Sequence, residues 1–247
     1  MRLPPDATSR GGQFPHAGEA DATLAAAGAD VAIGASPSSS DVAQSVCTEI
    51  ESRGRKSLAY CFDVGTPADV ASMCARVNDD FDGIDILINN AGVTRDRSFR
   101  KMARGEWDEV INTNLNAVFE ITRLFIDPMA LRGWGRVINI SSIVGRIGNF
   151  GQANYAAAKA GLIGLTKSLA REYASKGVTV NAIAPGFVKT RMLEAVPEKA
   201  LKSVLDITPV GRLGDPMEIG ASALYLASPA AGFVTGHVLD INGGMSM

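Results

Sequence analysis

The sequence predicts an α/β protein in which helices cover both faces of one doubly wound parallel sheet, giving three layers. The first observation is a set of short apolar runs rich in Val and Ile, because strands buried on both faces of a parallel sheet lack polar–apolar alternation. The second is that helical patterns separate these runs, which is typical of a parallel sheet. The predicted strands are Ala29–Ala35, Ser57–Val64, Asp85–Asn89, Gly135–Ser141, Val178–Ala184 and His237–Ile241.

The predicted helices have recognisable first turns. Thr66-Pro67 and Asp215-Pro216 each place a capping residue before a proline. Proline is favoured at the first helical position, where its missing backbone N–H would have no partner anyway. The helices expected from these and similar patterns span 68–80, 105–129 and 217–228, with a further one that carries Tyr155 and Lys159 and ends near residue 175.

The composition indicates a soluble enzyme rather than a nucleic-acid or membrane protein. The chain has 247 residues, of which 46% are hydrophobic, enough for the core of a single domain. A net charge of −2 argues against electrostatic capture of nucleic acid. No apolar stretch has the length of a membrane span, and the N-terminus lacks the pattern of a secretory signal. We therefore expect a cytoplasmic protein with no nucleic-acid or membrane partner.

The histidines and cysteines do not form a metal-ligand pattern. His16 and His237 are isolated, and Cys47, Cys61 and Cys74 have no Cys-x-x-Cys spacing. No metal site is predicted, and the cysteines are expected to stay reduced.

Three polar side chains form a candidate catalytic group. Tyr155 and Lys159 are separated by one helical turn, so that the phenol and the ammonium share a helix face, and Ser142 lies upstream. A free tyrosine has a pKa of about 10 and is a poor acid at neutral pH. A nearby ammonium favours the phenolate and lowers that pKa. With Ser142 donating to a carbonyl oxygen, such a group could reduce a ketone or oxidise an alcohol.

A Tyr-x-x-x-Lys pair alone is more often part of a solvated helix face, but three other motifs favour the catalytic interpretation. Asn89-Asn-Ala-Gly92 follows one apolar run, Pro185-Gly186 ends another, and Asn114 lies in Asn112-Thr-Asn-Leu115. Asn90, Ser142 and Pro185 all stand at the carboxyl ends of predicted strands, where doubly wound sheets bind ligands.

With these motifs the chain from Thr23 to Met247 resembles the short-chain dehydrogenases/reductases, which have a Rossmann-like fold. It is most similar to the bacterial 3-oxoacyl-acyl-carrier-protein reductases and acetoacetyl-CoA reductases. The closing sequence Asn242-Gly-Gly-Met245 also matches the family pattern. The resemblance implies a single short-chain dehydrogenase/reductase domain at 23–247, preceded by an atypical segment at 1–22.

The resemblance implies a role for each matched residue. Tyr155 would be the general acid in reduction, and Ser142 would orient and polarise the carbonyl. Lys159 would lower the tyrosine pKa and hold the nicotinamide ribose. Asn114 would hold a water that relays protons towards Lys159, whereas Ser141 is expected to be structural. The implied cofactor-binding residues are Asp63, Val64, Asn90, Ala91, Gly92, Tyr155, Lys159, Pro185, Gly186 and Val188.

The segment 187–213 lacks a strand pattern, and two interpretations exist for it. It is either an ordinary pair of surface helices or, as the resemblance implies, a short substrate lid that closes over bound cofactor. We favour the lid. Basic residues that could meet an acyl carrier are Lys189, Arg191, Lys199 and Lys202, with Arg132 and Arg136 as weaker candidates; charges on helices are more often simply solvated.

The N-terminus departs from the family pattern. The family begins with a central apolar strand and a glycine-rich loop that cradles the cofactor pyrophosphate. Here Pro4 and Pro5 disfavour a central strand, Thr8-Ser-Arg-Gly11 matches only part of the loop, and Pro15 stands where the loop should become a helix. We expect the first strand and glycine loop to be aberrant while the catalytic half is normal.

The sequence favours NADP(H) as the cofactor. After the second strand the chain runs Gly34-Ala-Ser-Pro-Ser-Ser-Ser-Asp41, with no acidic residue at the strand end to bind the ribose hydroxyls of NAD. Small hydroxylated residues there suit a 2′-phosphate, and Arg10 could assist. Serine runs are also common in plain loops.

The predicted function is NADPH-dependent reduction of 3-oxoacyl thioesters by a cytoplasmic homotetramer, in fatty acid biosynthesis or polyhydroxyalkanoate metabolism. Gln152-Ala-Asn-Tyr-Ala-Ala-Ala-Lys159 is more similar to the acyl-carrier-protein enzymes, whereas Arg132-Gly-Trp-Gly-Arg136 and Phe99-Arg-Lys-Met102 are more similar to the acetoacetyl-CoA enzymes. One alternative is a non-catalytic subunit of a reductase oligomer that has lost cofactor binding. Another is a reductase of other alcohols or ketones.

Overall fold

The computed structural model describes residues 8–9, 17–189 and 198–247, with side chains described for 21–189 and 202–247. All strand pairs in these ranges are parallel. The strands are β1 (Thr8–Ser9), β2 (Asp30–Ala35), β3 (Ser57–Cys61), β4 (Ile86–Asn89), β5 (Gly135–Ile140), β6 (Val178–Pro185) and β7 (Val238–Ile241). The predicted α/β fold with a parallel sheet is therefore confirmed.

The strands form two hydrogen-bonded groups, β1-β2-β3 and β4-β5-β6-β7. β1 pairs with β2 through Thr8↔Asp30 and Ser9↔Val31, and it lies beside β4 without a hydrogen-bonded ladder between them in the described ranges. The atypical N-terminal segment thus supplies a strand of only two described residues. Arg10, Pro15 and the rest of the segment that replaces the glycine loop lie outside the described residues. That this loop is aberrant therefore stays a prediction.

Helices separate the strands as expected. They are α1 (Ala17–Ala26), α2 (Ser40–Ser52), α3 (Pro67–Phe81), α4 (Arg104–Ile111), α5 (Ala117–Arg132), α6 (Val144–Ile147), α7 (Ala153–Tyr173), α8 (Glu198–Asp206) and α9 (Pro216–Ala227). Short 3₁₀ turns occupy Pro37–Ser39, Phe99–Lys101, Ala174–Lys176 and Pro229–Ala231. No helix in the described part of the chain is long and apolar enough to cross a membrane.

Two predicted elements differ from those observed. The helix predicted over 105–129 is interrupted by a π-helical segment, Asn112–Asn116, between α4 and α5. Such bulges occur frequently at functional sites. β3 ends at Cys61, earlier than the predicted Val64, because the Asp63 carboxylate accepts the Gly65 N–H at 2.9 Å and turns the chain locally.

Helices cover both faces of the sheet, as predicted for three layers. On one face Leu24 of α1 and Leu226 of α9 pack with Ile138 of β5 in one buried cluster. On the other face Phe125 of α5 packs with Val137 of β5 in a second buried cluster, which also contains side chains of α3. The alternation of Val137 and Ile138 between faces is that of a strand buried on both sides.

Four buried polar side chains form a hydrogen-bonded row that links β4 and β5 to two helices near the carboxyl edge of the sheet. Asn89 Nδ2 donates to Thr122 Oγ1 at 3.0 Å and to Asn139 Oδ1 at 2.9 Å, and Asn139 Nδ2 donates to Thr166 Oγ1 at 2.9 Å. All four residues are at most 5% exposed. Because buried polar groups without partners are costly, this row fixes α5 and α7 against β4 and β5.

Candidate active site

Tyr155 and Lys159 project from the first turns of α7 into the interior. They are 8% and 1% exposed, and the Lys159 Nζ lies 5.6 Å from the centre of the Tyr155 ring. The Nζ donates to the backbone oxygen of Ile140, at the end of β5, at 2.7 Å. The i, i+4 spacing therefore brings the two groups together, and the bond to Ile140 holds the ammonium at the carboxyl edge of the sheet.

Burial dominates the protonation of both groups. It raises the pKa of Tyr155 to about 12, with a hydrogen bond to Ser142 lowering it and the charge of Asp96 raising it. Burial lowers the pKa of Lys159 to about 7, since a buried ammonium loses its hydration. The net shift of the tyrosine pKa is therefore upward, from desolvation of the phenol, and the expectation that Lys159 lowers this pKa stays a prediction.

Ser142 stands at the turn between β5 and α6. Its Oγ accepts a hydrogen bond from the Val144 backbone N–H at 3.1 Å, and its hydroxyl also interacts with Tyr155. The neighbouring Ser141 donates from its Oγ to the backbone oxygen of Lys159 at 2.8 Å. Ser141 thus joins β5 to α7, while Ser142 faces the phenol.

Asn114 lies in the π-helical segment and is fully buried. Its Oδ1 accepts from the Val93 N–H at 2.9 Å, and its Nδ2 donates to the backbone oxygens of Val93 at 2.8 Å and Val110 at 2.9 Å. The side-chain amide is therefore engaged in fixing the loop after β4. That Asn114 also holds a relay water stays a prediction.

A cavity of about 320 Å³ lies at the carboxyl ends of β2, β3 and β4. Five predicted cofactor residues line it, namely Asp63, Val64, Asn90, Ala91 and Gly92. Ser36 and Ser38 of the serine run line it as well, as do Arg95 and Glu109, which the sequence did not indicate. Arg95 and Glu109 form an ion pair across fourteen residues, a partnership that local spacing does not reveal.

The other predicted cofactor residues do not line this cavity: Tyr155 and Lys159 lie on α7, and Pro185, Gly186 and Val188 lie around the end of β6. The Pro185 oxygen accepts the Ile143 N–H at 2.8 Å, and the Gly186 N–H donates to Ile241 of β7 at 2.9 Å. A side chain on Gly186 would place its Cβ 2.8 Å from the Asn242 Cα, so only glycine allows this approach. These bonds join the Ser142 turn to β6 and β7.

Val188 and the lid lie next along the chain. Val188 is 4% exposed and pairs with Gly214 across the base of the predicted lid. Within the lid, α8 is described, whereas Arg191 and the side chain of Lys199 lie outside the described residues. Whether the segment closes over ligand stays a prediction.

The two weaker docking candidates differ in their surroundings. Arg132 donates to the Ile84 backbone oxygen and pairs with Asp85 at 3.3 Å. Arg136 is 3% exposed with its guanidinium 4.4 Å from the Trp134 ring, and burial lowers its pKa. The suggestion that Arg136 belongs to a docking surface is therefore wrong.

Comparison with known proteins agrees with this geometry. Residues 18–246 match the family described as enoyl-(acyl carrier protein) reductase. The chain is 46% identical over 194 residues to a 3-oxoacyl-[acyl-carrier-protein] reductase of Vibrio cholerae, covering 78% of this chain and 80% of that protein. It is 44% identical over 225 residues to the Escherichia coli protein of the same description, covering 91% and 90%. It is 51% identical over 186 residues to an acetoacetyl-CoA reductase of Rhizobium meliloti, covering 75% and 77%. With a Ser–Tyr–Lys group at the carboxyl edge of a parallel α/β sheet, the chain belongs to the short-chain dehydrogenase/reductase family of oxidoreductases.

Proposed function

We propose that the protein reduces 3-oxoacyl thioesters to 3-hydroxyacyl thioesters with NADPH, Tyr155 acting as the general acid. The observation that carries the proposal is the convergence of Ser142, Tyr155 and Lys159 at the carboxyl edge of the sheet, the same edge that carries the cavity at the ends of β2 to β4. The relatives named as 3-oxoacyl-[acyl-carrier-protein] and acetoacetyl-CoA reductases support the thioester substrate.

The proton transfer follows from the protonation of the phenol. With a pKa near 12, Tyr155 holds its proton at neutral pH, as the acid of a reduction must. NADPH held at this site would supply the hydride that reduces the 3-keto carbon. Ser142 orients the carbonyl oxygen by donating a hydrogen bond from its hydroxyl group. The Tyr155 hydroxyl protonates the same oxygen as negative charge develops there. Lys159 and a water at Asn114 return a proton to the phenol.

The cofactor would bind along the carboxyl ends of β2 to β4. Asn90, Ala91 and Gly92 would approach it through the backbone, and Asp63 and Val64 would lie beside the adenine. Ser36 and Ser38 supply hydroxyls 2.9 Å apart at the start of the helical region after β2, where hydroxyl donors suit a 2′-phosphate. This donor set supports NADPH over NADH.

The thioester carrier is either acyl carrier protein or CoA. Lys189 and Lys202 are exposed on the lid and its base, and such lysines would attract the phosphates of either carrier. Comparing kcat/KM for acetoacetyl-CoA and an acetoacetyl-acyl carrier protein separates the two.

Assembly as a homotetramer, which light scattering would measure, belongs to the same proposal.

The test begins with a fluorescence titration with NADPH, with NADH as comparison, followed by assays of Tyr155→Phe. We expect NADPH-selective binding, and loss of turnover in Tyr155→Phe with the fold retained. Tyr173→Phe is the matched control, because Tyr173 ends the same helix and its hydroxyl donates to Asp127 instead. Near-native turnover in Tyr155→Phe would refute the assigned acid.

The second candidate is a non-catalytic subunit, favoured by the sequence of the N-terminal segment, in which Thr8-Ser-Arg-Gly11 matches only part of the family's glycine loop. A folded chain that binds neither cofactor in the titration would support this candidate over the reductase. The catalytic side chains would then have no hydride donor.

A further inference from the structure

Asn154, which precedes Tyr155 in the chain, is fully buried and engages its whole side-chain amide. Its Oδ1 accepts the backbone N–H of Tyr155 at 2.8 Å. Its Nδ2 donates to the backbone oxygens of Arg95 and Glu106, both at 3.1 Å. A primary amide has two donor hydrogens, so these contacts use both of them.

The three partners belong to three parts of the site. Arg95 lies in the loop after β4 and lines the cofactor cavity. Glu106 lies in α4, which leads into the π-helical segment that carries Asn114. Tyr155 carries the phenol. The buried side-chain amide of Asn154 therefore joins three elements: the loop after β4 that lines the cavity, α4, and the first turn of α7, which carries Tyr155.

The start of α7 explains why the contact with Tyr155 matters. The first N–H groups of a helix lack partners within the helix and are usually satisfied by the capping side chain. The residue at the cap position, Gln152, makes no such bond, and its amide donates to Asp96 instead. Asn154 satisfies the Tyr155 N–H in its place and ties this turn to two other elements.

From these contacts we propose that Asn154 is a positioning residue for proton transfer, holding the Tyr155 turn in register with the wall of the cofactor cavity. It acts through Tyr155, and the proposal rests on the proposed reductase function. A misplacement of about 1 Å between reacting groups costs about a hundredfold in rate. Loss of the Asn154 contacts should therefore lower kcat by about tenfold or more, while the NADPH dissociation constant changes less than about threefold.

The test compares Asn154→Asp and Asn154→Ser with the wild type. Aspartate has the shape of asparagine and keeps an acceptor for Tyr155, but its second oxygen faces two carbonyl oxygens. Burial at this fully enclosed position raises the pKa of the carboxyl, and the protonated carboxyl can donate one of the lost bonds again. The ratio of Asn154→Asp kcat to wild-type kcat should therefore rise as the pH falls from about 8 to about 5.5. Asn154→Ser should lose kcat without this pH-dependent recovery.

The control is Asn116→Asp, the same exchange at an exposed residue whose amide donates to Asn112; it should keep wild-type kcat at every pH. Circular dichroism shows that each variant is folded. A kcat within about twofold of wild type in both Asn154 variants would overturn the proposal. The proposal would also be overturned if kcat fell by the same factor at every pH and the affinity for NADPH fell by an equal factor. A wild-type chain without turnover would instead overturn the proposed function itself.

Discussion

Replacing Lys159 by methionine should flatten the pH dependence of folding stability. Burial lowers the lysine pKa from 10.5 to about 7, so between these values the unfolded chain binds more protons than the folded one. The free energy of unfolding therefore rises with pH in this window and falls as the pH drops towards the folded pKa. Between about pH 7 and about pH 9, the titration of Lys159 should raise the free energy of unfolding by about 2 kcal/mol.

Methionine has similar length and no titrating group, so Lys159→Met should lack this increment. The variant also leaves the Ile140 oxygen without its donor, a loss of about 1–3 kcal/mol that does not depend on pH. The slope, rather than the absolute stability, is therefore the decisive quantity. Tyr155 does not interfere, because its raised pKa affects stability only above about pH 10.

Urea unfolding followed by circular dichroism at several pH values between about 7 and 9 measures the slope for both chains. Lys167→Met, which removes an exposed lysine about two turns further along α7, is the control and should keep the wild-type slope. Equal slopes for Lys159→Met and wild type would refute the reasoning. Lys159 would then be as readily protonated in the folded protein as in the unfolded chain.

Three further substitutions test the structure. Gly177→Ala should destabilise the fold by about 1–3 kcal/mol in urea unfolding, because Gly177 has φ +80° and its Cβ would lie 2.0 Å from the Gly133 oxygen; unchanged stability would contradict this geometry. Thr122→Val should cost about 1–3 kcal/mol by removing an acceptor of Asn89 Nδ2, and a neutral result would show that the buried polar row is dispensable. Ser38→Asp should weaken NADPH binding about tenfold or more relative to NADH, since a carboxylate repels a 2′-phosphate; an unchanged ratio in a fluorescence titration would place the phosphate elsewhere.

Much of the fold was predictable because its strands are local apolar runs. β5 and β6 were each predicted to within one residue, since strands buried on both faces are continuous in the sequence. The π-helical interruption of the long helix was not predictable. It accompanies hydrogen bonds between Asn114 and Val93, which come together only in the folded chain.

The candidate site divides in the same way. The sequence by itself determined that Tyr155 and Lys159 share a helix face and that Ser142 follows the end of a strand, because these relations depend on spacing along a short stretch of chain. Only the tertiary structure decided how the groups are protonated, because burial by distant elements raises one pKa and lowers the other. The place of Asn154 is likewise tertiary, since its two carbonyl partners lie 59 and 48 residues away in the chain.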